Sequence, residues 1–373
     1  MTTQDLARSV AAFGLPGHDG PLVGEESSEP LHDQDWRKLI SIVSAQRLPG
    51  YLHAAVEAGM FPVTAEQREQ VDDLHLRSCA TALRLERILL ELAPHLDRAD
   101  IEFVVLKGTA SAHLVHEDPS HRMFGDNDLL FRSEHFEEAL TVLAGLSYRR
   151  ATPPPTSAFA RRFGKGATMH GPTGDEVDAH RNLVFGTFGF QIDLEELFAS
   201  TVTFPLGGRE LRALDPETRL LHACYHAALG DPVPRLSSVR DVAQMLTTGR
   251  HDPDRLIDLA RRWRAEPVLA RAVELCRRHL GVAVGGPVVA AVEGYEPTRR
   301  ERRAIASYVG TDRSFTAKVL ASLPYLDGVG ERMVFLRASL APSAEFAESR
   351  AARRGTTRPP RGLAALLKGR RHR

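Results

Sequence analysis

The stretch HRMFGDNDLLF, residues 121–131, sets two aspartates directly before a short apolar run. The apolar run predicts a β-strand, in which side chains two residues apart point to the same face. Asp126 and Asp128 therefore project together, while Asn127 faces away. Two carboxylates on one face repel each other unless a cation lies between them. The pair predicts a site for Mg²⁺, a hard ion that proteins bind through one or two carboxylates together with substrate phosphates.

A third carboxylate is predicted to join this pair from a hairpin further along the chain. The alternating segments ATMH and DEVDAH flank a turn that contains Gly-Pro. Asp178 lies in the middle of the second segment, and a neighbouring strand would bring it beside Asp126 and Asp128. Three carboxylates suit a site for two metal ions about 3.5–4 Å apart. We therefore expect all three aspartates to be metal ligands and catalytic residues, with two Mg²⁺ ions as cofactor.

The segment IEFVVLKGTAS, residues 101–111, is predicted to bind phosphate. Its β-branched and aromatic run predicts a buried strand, and a helix is expected to open at the glycine that follows. Gly108 lets the backbone approach a phosphate closely, Thr109 adds a hydroxyl, and the positive end of the helix dipole points there. Lys107 offers a point charge and Arg122 a forked contact to phosphate oxygens. These four residues are the predicted nucleotide-binding residues.

The rest of the chain is predicted to be mostly helical around this α/β centre. A long helix is expected from about residue 64 to 96, and another over 133–146 with Ser133 as its N-cap. A further strand is expected near 201–214. The predicted boundaries are 1–33 for a flexible N-terminal arm, 34–98 for an N-terminal helical region, 99–214 for the catalytic core, 215–345 for a C-terminal helical domain, and 346–373 for a basic disordered tail.

The composition indicates an ordinary globular protein of bacterial origin. With 373 residues, 43% of them hydrophobic, the chain is long enough for sizeable cores. Its basic residues include only five lysines, so the dominance of arginine favours a GC-rich bacterial coding bias. The three cysteines form no C-x-x-C pair. Without an export signal or an apolar segment long enough for a bilayer, we expect a cytoplasmic protein with no membrane insertion.

The end of the chain, residues 350–373, differs from the rest in charge. It has nine Lys or Arg and no acid, which leaves 39 basic against 48 acidic residues in 1–349, a net charge of minus nine. Such a run is typical of a disordered, solubilising end, and it has no aromatic residue on which a base could stack. Contact with nucleic acid is therefore the less favoured interpretation. The sequence leaves the oligomeric state open.

The order of these motifs resembles a known superfamily. A strand ending in L-K-G-T before a helix, then R-x-x-x-D-x-D-L-L on a second strand and V-D-x-H on a later one, is similar to nucleotidyltransferases of the DNA polymerase β type. The likeness is greatest to a family of uncharacterised nucleotidyltransferases. DWRKLISIVSAQRLPGYL resembles that family's N-terminal helix and LDPETRLLHACYHAALG its C-terminal segment, so the likeness covers about residues 35–250. One position departs from the pattern, because Asn127 stands where the family has an apolar residue.

The resemblance implies a fold and an activity. The fold class is α+β, a small polymerase β-like nucleotidyltransferase α/β core with a mixed sheet, flanked by N-terminal and C-terminal helical regions. Gly108 and Thr109 match the family's Gly-Gly/Ser signature, Asp126 and Asp128 its metal ligands, and Asp178 its third carboxylate. The implied enzyme transfers a nucleoside monophosphate from an NTP, with ATP expected, to an unidentified small molecule, peptide or protein, and releases pyrophosphate.

Other interpretations of the same residues stay open. G-D-N-D is also good turn composition, so the two aspartates could form a solvated strand end. Asp178 could be an exposed hairpin position, and Lys107 could extend from a strand end to solvent. Two functions of other classes are alternatives. Asn127 leaves room for a catalytically inactive nucleotide-binding module, and the basic tail for an RNA-binding or RNA-modifying protein.

Overall fold

The computed structural model describes residues 2–18, 20, 22, 29–153, 163–282 and 284–340. The helices of these ranges are α1 (Thr3–Ala12), α2 (Asp33–Ala45), α3 (Pro49–Glu57), α4 (Ala65–Arg98), α5 (Thr109–Val115), α6 (Phe136–Gly145), α7 (Leu194–Ala199), α8 (Pro216–Leu229), α9 (Leu236–Thr248), α10 (Pro253–Arg262), α11 (Glu266–Leu280), α12 (Pro287–Val292), α13 (Arg299–Val309), α14 (Phe315–Ser322) and α15 (Gly328–Leu340). Short 3₁₀ turns occur at Pro119–His121 and Leu323–Tyr325. The strands are β1 (Phe103–Val105), β2 (Asn127–Phe131), β3 (Arg149–Arg150), β4 (Gly166–His170), β5 (Glu176–His180), β6 (Thr201–Leu206) and β7 (Arg209–Leu214). The predicted basic tail, 346–373, lies outside the described residues.

The strands form one mixed sheet of seven, in the order β3-β4-β5-β2-β1-β7-β6. Strands β1 and β7 are parallel, with Val105 opposite Ala213. The pairs β3–β4, β4–β5 and β6–β7 are antiparallel. Every residue of β2 is buried, which accounts for the nearly continuous apolar run after the aspartates, since central strands are covered on both faces. The predicted α+β class with a mixed sheet is confirmed.

The chain folds into two compact units, each assembled from separated stretches. Of the described residues, those within Met1–Pro94, Val104–Asp128 and Glu195–Pro297 form unit 1. Those within His95–Phe103, Leu129–Leu194 and Thr298–Arg373 form unit 2. Helices from both sides of the α/β centre therefore belong to unit 1.

The helical core of unit 1 is built around α8, which packs against α9 and α11. Buried leucines and valines fill these contacts, among them Leu220, Val239 and Leu269. Helix α8 starts at a proline after Asp215, whose carboxylate accepts a hydrogen bond of 2.8 Å from the backbone N–H of Thr218. A side-chain acceptor at this position satisfies one of the free donors of the first turn, and so fixes where the helix begins.

Residues 3–12 form a helix, where the sequence predicts a loose arm. Helix α1 opens with a capping box, in which Thr2 and Asp5 bond each other's backbone N–H groups. Its apolar face, with Leu6 and Val10, is buried, and the helix packs against α2, α9 and α11. Arg240 donates to the carbonyl oxygen of Ala11 at 2.9 Å and so satisfies the end of the helix. Long-range packing therefore orders a segment whose own pattern is short.

Unit 2 contains the predicted hairpin and a cluster of aromatic rings. Strands β4 and β5 pair with Thr168 opposite Asp178 and His170 opposite Glu176, so the hairpin prediction is confirmed. Phe163 and Phe335 lie in one hydrophobic cluster, with ring centroids 4.8 Å apart in an edge-to-face arrangement. Such geometry places the positive edge of one ring against the negative face of the other.

Two local predictions differ from the structure. Helix α6 begins at Phe136 after His135, so Ser133 is not its N-cap. The backbone N–H of His135 instead bonds the carbonyl oxygen of Arg132 at 3.2 Å, and this turn delays the helix by three residues. The strand expected near 201–214 is a hairpin of two strands.

Two expectations from composition concern cysteines and membranes. Cys79, Cys224 and Cys276 are all free thiols in the structure. Within the described part of the chain, the helices lack the length and apolar character that crossing a bilayer requires.

Helix α3 lies unusually close to the 3₁₀ turn that precedes the aspartates. A Cβ added to Gly50 would lie 2.5 Å from the Cα of His121 and 2.7 Å from the carbonyl oxygen of Ser120. Only a residue without a side chain allows this approach of two backbones.

Gly50→Ala is expected to destabilise the fold by about 1–3 kcal/mol, because backbone atoms must move to admit the methyl group. Chemical denaturation monitored by circular dichroism measures the loss. Gly145→Ala is the control, since a Cβ at position 145, the last residue of α6, meets nothing within 4 Å. Equal stability of the two variants would contradict this account of the contact.

Candidate active site

The pairing of β1 with β2 brings a lysine beside the two aspartates. The backbone N–H of Leu106 donates to the carbonyl oxygen of Asp128 at 3.0 Å. The next residue, Lys107, then places its Nζ 3.0 Å from Oδ2 of Asp128 and 3.9 Å from Oδ2 of Asp126. Both carboxylates thus lie close to one cation, the ammonium of Lys107.

Burial differs between the two aspartates. The side chain of Asp128 is 0% exposed, whereas those of Asp126 and Lys107 are 21% and 19% exposed. A buried carboxylate is costly unless a cation or hydrogen bonds compensate it. The solvated strand end considered from the sequence therefore does not describe Asp128, and its contact with Lys107 provides the compensating charge.

Asn127 has a structural role on the opposite face of the strand. It is buried, and its Nδ2 donates to the carbonyl oxygen of Leu85 in α4 at 3.0 Å. A buried amide with a partner costs little, so the polar residue is compatible with the packing of this face. The departure from the apolar family pattern leaves the aspartate face unchanged.

The glycine turn lies against the aspartate segment. Gly108 has φ 60° and precedes α5, in a backbone region that glycine adopts without strain. A Cβ at this position would lie 3.3 Å from the ring of Phe124 and 3.4 Å from the carbonyl oxygen of Asp126. Thr109 is buried at the first position of α5, and its Oγ1 has no hydrogen-bond partner within the described ranges. The structure thus brings together Lys107, Gly108, Asp126 and Asp128.

Arg122 occupies a different position from the one that a phosphate contact needs. It is 4% exposed, and its guanidinium holds the carboxylate of Asp241 in α9 through bonds of 2.7–3.0 Å. A further N–H donates to the carbonyl oxygen of Met123. Burial acts against the charge of Arg122, but Asp241 outweighs it and raises the pKa of Arg122. A contact with phosphate would require this guanidinium to leave Asp241.

A histidine and a tyrosine extend the buried pair. Nε2 of His116 lies 3.2 Å from Oδ1 of Asp241, and Nδ1 lies 2.7 Å from the hydroxyl of Tyr51. Burial lowers the pKa of His116, so its ring is neutral at neutral pH and carries one proton. For Asp241, burial acts to raise the pKa, but the charge of Arg122 and the hydrogen bonds hold it well below its usual range. The carboxylate is thus ionised at all ordinary pH values, and Nε2 of His116 carries the proton that faces it.

Asp178 lies on β5 in unit 2. Its Oδ1 accepts a hydrogen bond of 2.6 Å from Oγ1 of Thr168, the residue opposite it on β4. Strand β5 neighbours β2 in the sheet. Within unit 2, strand β5 offers three possible metal ligands at alternating positions, Glu176, Asp178 and His180.

Sequence patterns pointed to the aspartates and the glycine turn but missed their supporting partners. Leu85 and Asp241 contribute through contacts 42 and 119 residues away from Asn127 and Arg122. Asp241 is an acidic residue on α9, a helix with many buried apolar residues. An acid at such a position indicates a buried partner of opposite charge, but the sequence does not show which basic residue that partner is.

The structure combines a mixed sheet, a pair of aspartates at its central strand and a glycine turn beside them. The chain belongs to the uncharacterised nucleotidyltransferase family, whose model matches residues 32–281. The resemblance noted from the sequence is thereby confirmed, and family membership supports a transferase of nucleotidyl groups.

Similarity to individual proteins is more distant. No curated protein matches the chain. The antibiotic-resistance factor ANT(2'')-Ia, a solved structure, is 16% identical with a TM-score of 0.35, over 52% of this chain and 97% of that one. A nucleotidyltransferase-like antigenic protein from Paracoccidioides brasiliensis is 18% identical with a TM-score of 0.30, over 53% of this chain and 97% of that one.

Asp241→Leu is expected to destabilise the protein by about 3–5 kcal/mol, because it leaves the charge of Arg122 buried and uncompensated. The double variant R122M/D241L should recover most of this loss, since no buried charge remains. Urea denaturation of the wild type, R122M, D241L and the double variant, which form a double-mutant cycle, measures the coupling energy between Arg122 and Asp241.

The same cycle has a pH dependence of known sign. The pKa of Asp241 is lower in the folded protein than in the unfolded chain. The stabilisation that its ionised carboxylate gives to the folded state is therefore fully present above pH about 4, and it is lost progressively as the pH falls below that value. A destabilisation by D241L that stays constant down to pH 2 would contradict this account.

Proposed function

We propose that the protein is a Mg²⁺-dependent enzyme that transfers a nucleoside monophosphate from an NTP, with ATP as the expected donor, to an acceptor that is a small molecule, peptide or protein. Pyrophosphate is the second product. The observation that carries the proposal is the convergence of Asp126 and Asp128 on one cation, directly beside the Gly108 turn, in a chain of the nucleotidyltransferase family.

The donor set suits a hard divalent cation. Asp126, Asp128 and Asp178 offer carboxylate oxygens, the ligands that Mg²⁺ prefers. The ammonium of Lys107 already sits against Asp126 and Asp128, so the aspartates attract positive charge at this place. When bound, Mg²⁺ would neutralise charge on the phosphate oxygens and favour ionisation of the acceptor. Two ions are expected, with Asp178 completing the set for the second.

The side chains of the protein have distinct parts in the proposed reaction. The acceptor oxygen forms a bond to the α-phosphorus, and the bond from that phosphorus to the oxygen bridging to the β-phosphate breaks. The electron pair of the broken bond leaves with pyrophosphate. Asp178 takes the proton of the acceptor, while Asp126 and Asp128 keep the reacting groups in line. Catalysis is then mainly positioning and neutralisation of charge, as in phosphoryl transfer generally.

The glycine turn is the proposed binding place of the β- and γ-phosphates. Gly108 presents a backbone without a side chain, so phosphate oxygens can reach the N–H groups at the start of α5. The buried hydroxyl of Thr109, which lacks a hydrogen-bond partner in the described part of the chain, is a donor left for such an oxygen. Arg122 is assigned a smaller part, because Asp241 already holds its guanidinium.

Lys107 has two positions in this proposal. Before substrate arrives, its ammonium neutralises Asp126 and Asp128. The triphosphate then offers it a stronger anion, and the lysine moves to the phosphates as a point charge. In this way Lys107 keeps the aspartates from repelling each other in the absence of substrate.

Asp128→Asn should lower NTP-dependent transfer by about 100-fold or more, because the site loses a charged ligand that positions the reacting groups. The assay follows pyrophosphate release from each NTP with Mg²⁺ and an acceptor pool. D178N should lose turnover but keep Mg²⁺-dependent NTP binding, since its proposed part concerns the acceptor. Asp35→Asn, an exposed acid on α2, is the control.

The outcomes separate the proposal from its alternatives. Full transfer by D128N would refute the assignment of the site. Binding of Mg²⁺ and NTP by the wild type without turnover, even with cell extract as acceptor source, would favour a nucleotide-binding module without catalysis. Retention of RNA that disappears on removal of residues 350–373 would favour RNA binding through the tail.

Lys107→Met should have opposite effects on metal and nucleotide. Without the competing ammonium, Mg²⁺ alone should bind about tenfold more tightly, while Mg²⁺-NTP should bind about tenfold more weakly; each factor corresponds to ~1.4 kcal/mol. Isothermal titration calorimetry measures both affinities. Changes in the same direction would contradict the two positions assigned to Lys107, and Lys38→Met, at an exposed lysine of α2, should change neither.

A further inference from the structure

An arginine outside the motifs recognised in the sequence lies beside the aspartates. Arg47 occupies the turn between α2 and α3 and is half-buried. Its guanidinium lies against Gly125, since a Cβ built there would be 3.5 Å from its Nη2. Gly125 directly precedes Asp126, so this side chain reaches the edge of the candidate site from the N-terminal helices of unit 1.

The guanidinium of Arg47 makes no hydrogen bond and no ion pair with any residue that the structure describes. Its neighbours in unit 1 differ in this respect. Arg122 is held by Asp241, and Arg240 by the carbonyl oxygens of Ala11 and Phe13. Burial takes part of the hydration from the Arg47 cation, and within the described ranges no hydrogen bond replaces it. An anionic ligand at this place would supply the missing hydrogen bonds.

The surroundings of Arg47 explain which anion fits. Arg235 and Arg122 are close enough to repel its charge, and Asp126 and Asp128 to attract it. Burial and the Arg235 guanidinium lower the pKa of Arg47, yet an arginine side chain stays protonated in proteins. An anion bound at this edge would meet the guanidinium of Arg47, with the carboxylates of Asp126 and Asp128 close by. A polyphosphate that carries Mg²⁺ suits this combination of one cation and two carboxylates.

The backbone of Arg47 has a strained conformation. Its φ is 58°, in the left-handed region that a residue with a Cβ adopts with strain. The turn is fixed on both sides. Gln46 accepts a hydrogen bond of 2.7 Å from the backbone N–H of Leu236, and the side chain of Leu48 is fully buried. The fixed turn thus holds the Cα of Arg47, from which the side chain extends to Gly125, in one place before any ligand binds.

We propose that Arg47 is a phosphate-binding residue, whose guanidinium bonds non-bridging oxygens of the triphosphate in the same site. This inference rests on the proposed function. The planar fork of arginine suits two phosphate oxygens at once, and a charged hydrogen bond formed away from bulk water is strong. Arg47 thereby extends the nucleotide site beyond the α/β core to the N-terminal helices.

Arg47→Gly is the most informative variant, because glycine accepts φ 58° without strain. Calorimetry measures its affinity for a non-hydrolysable NTP analogue and for inorganic tripolyphosphate, both with Mg²⁺. We expect both affinities to fall by roughly 10- to 100-fold, while the melting temperature stays equal to that of the wild type or rises. The affinities of R47K should lie between those of the wild type and R47G, since lysine keeps the positive charge but lacks the planar guanidinium that bonds two oxygens at once.

Arg264→Gly is the matched control. Arg264 is an exposed arginine with φ 53°, so the same substitution relieves the same kind of strain away from the candidate site. R264G should bind both ligands as the wild type does. R47Q, which keeps the backbone conformation and a side chain of similar polarity, should show the same loss of affinity as R47G and guards against an effect of glycine alone.

Three results would overturn the inference. Wild-type affinity of R47G and R47Q for tripolyphosphate would do so while leaving the proposed function intact. A loss for the NTP analogue without a loss for tripolyphosphate would assign Arg47 to the nucleoside instead of the phosphates. Failure of the wild-type protein to bind either ligand would overturn the proposed function, and this inference with it.

Discussion

The buried carboxylate of Asp128, on the central strand of the sheet, constrains the residues around it. The side chain of Asp128 is 0% exposed on a strand whose residues are all buried. Such a group persists only with positive charge at hand. The ammonium of Lys107 supplies that charge through the pairing of β1 with β2, and the glycine that follows it keeps the next turn close to Asp126.

The strand therefore has two different faces with different chemistry. One face gathers Asp126 and Asp128 around a cation, and the other inserts the amide of Asn127 under α4, where Leu85 accepts its hydrogen bond. An apolar residue at position 127 would pack on the same helix without that bond. The polar choice ties the orientation of the strand to the N-terminal helix, and so fixes where the aspartates point.

Local pattern was sufficient to predict much of this arrangement. The alternation of a strand places residues 126 and 128 on one side, the glycine after an apolar run predicts a helix start, and Gly-Pro between alternating segments predicts the β4–β5 hairpin. Each of these inferences uses residues fewer than fifteen positions apart. Periodicity and turn chemistry act over that distance, so the sequence exposes them directly.

The remaining features depend on contacts between distant parts of the chain. Nothing near Arg122 announces that Asp241 will bind it from 119 residues away. Helix α1 has too short an apolar pattern to predict, and becomes ordered because α2, α9 and α11 cover it. Arg47 looked like one of many arginines. Only the packed structure shows that the turn at Arg47 places its guanidinium beside Gly125.

The chain of hydrogen bonds from Tyr51 through His116 to Asp241 and Arg122 has a consequence for what counts as the catalytic core. Its members come from α3, the end of α5, the 3₁₀ segment and α9, so the polar interior of the α/β centre is satisfied by groups that precede and follow it in sequence. A fragment of residues 99–214 alone would lack Asp241, the counterion of Arg122, and Leu85, whose carbonyl oxygen accepts the hydrogen bond of Asn127. The smallest autonomous folding piece of this protein is accordingly much larger than the motif that marks its chemistry.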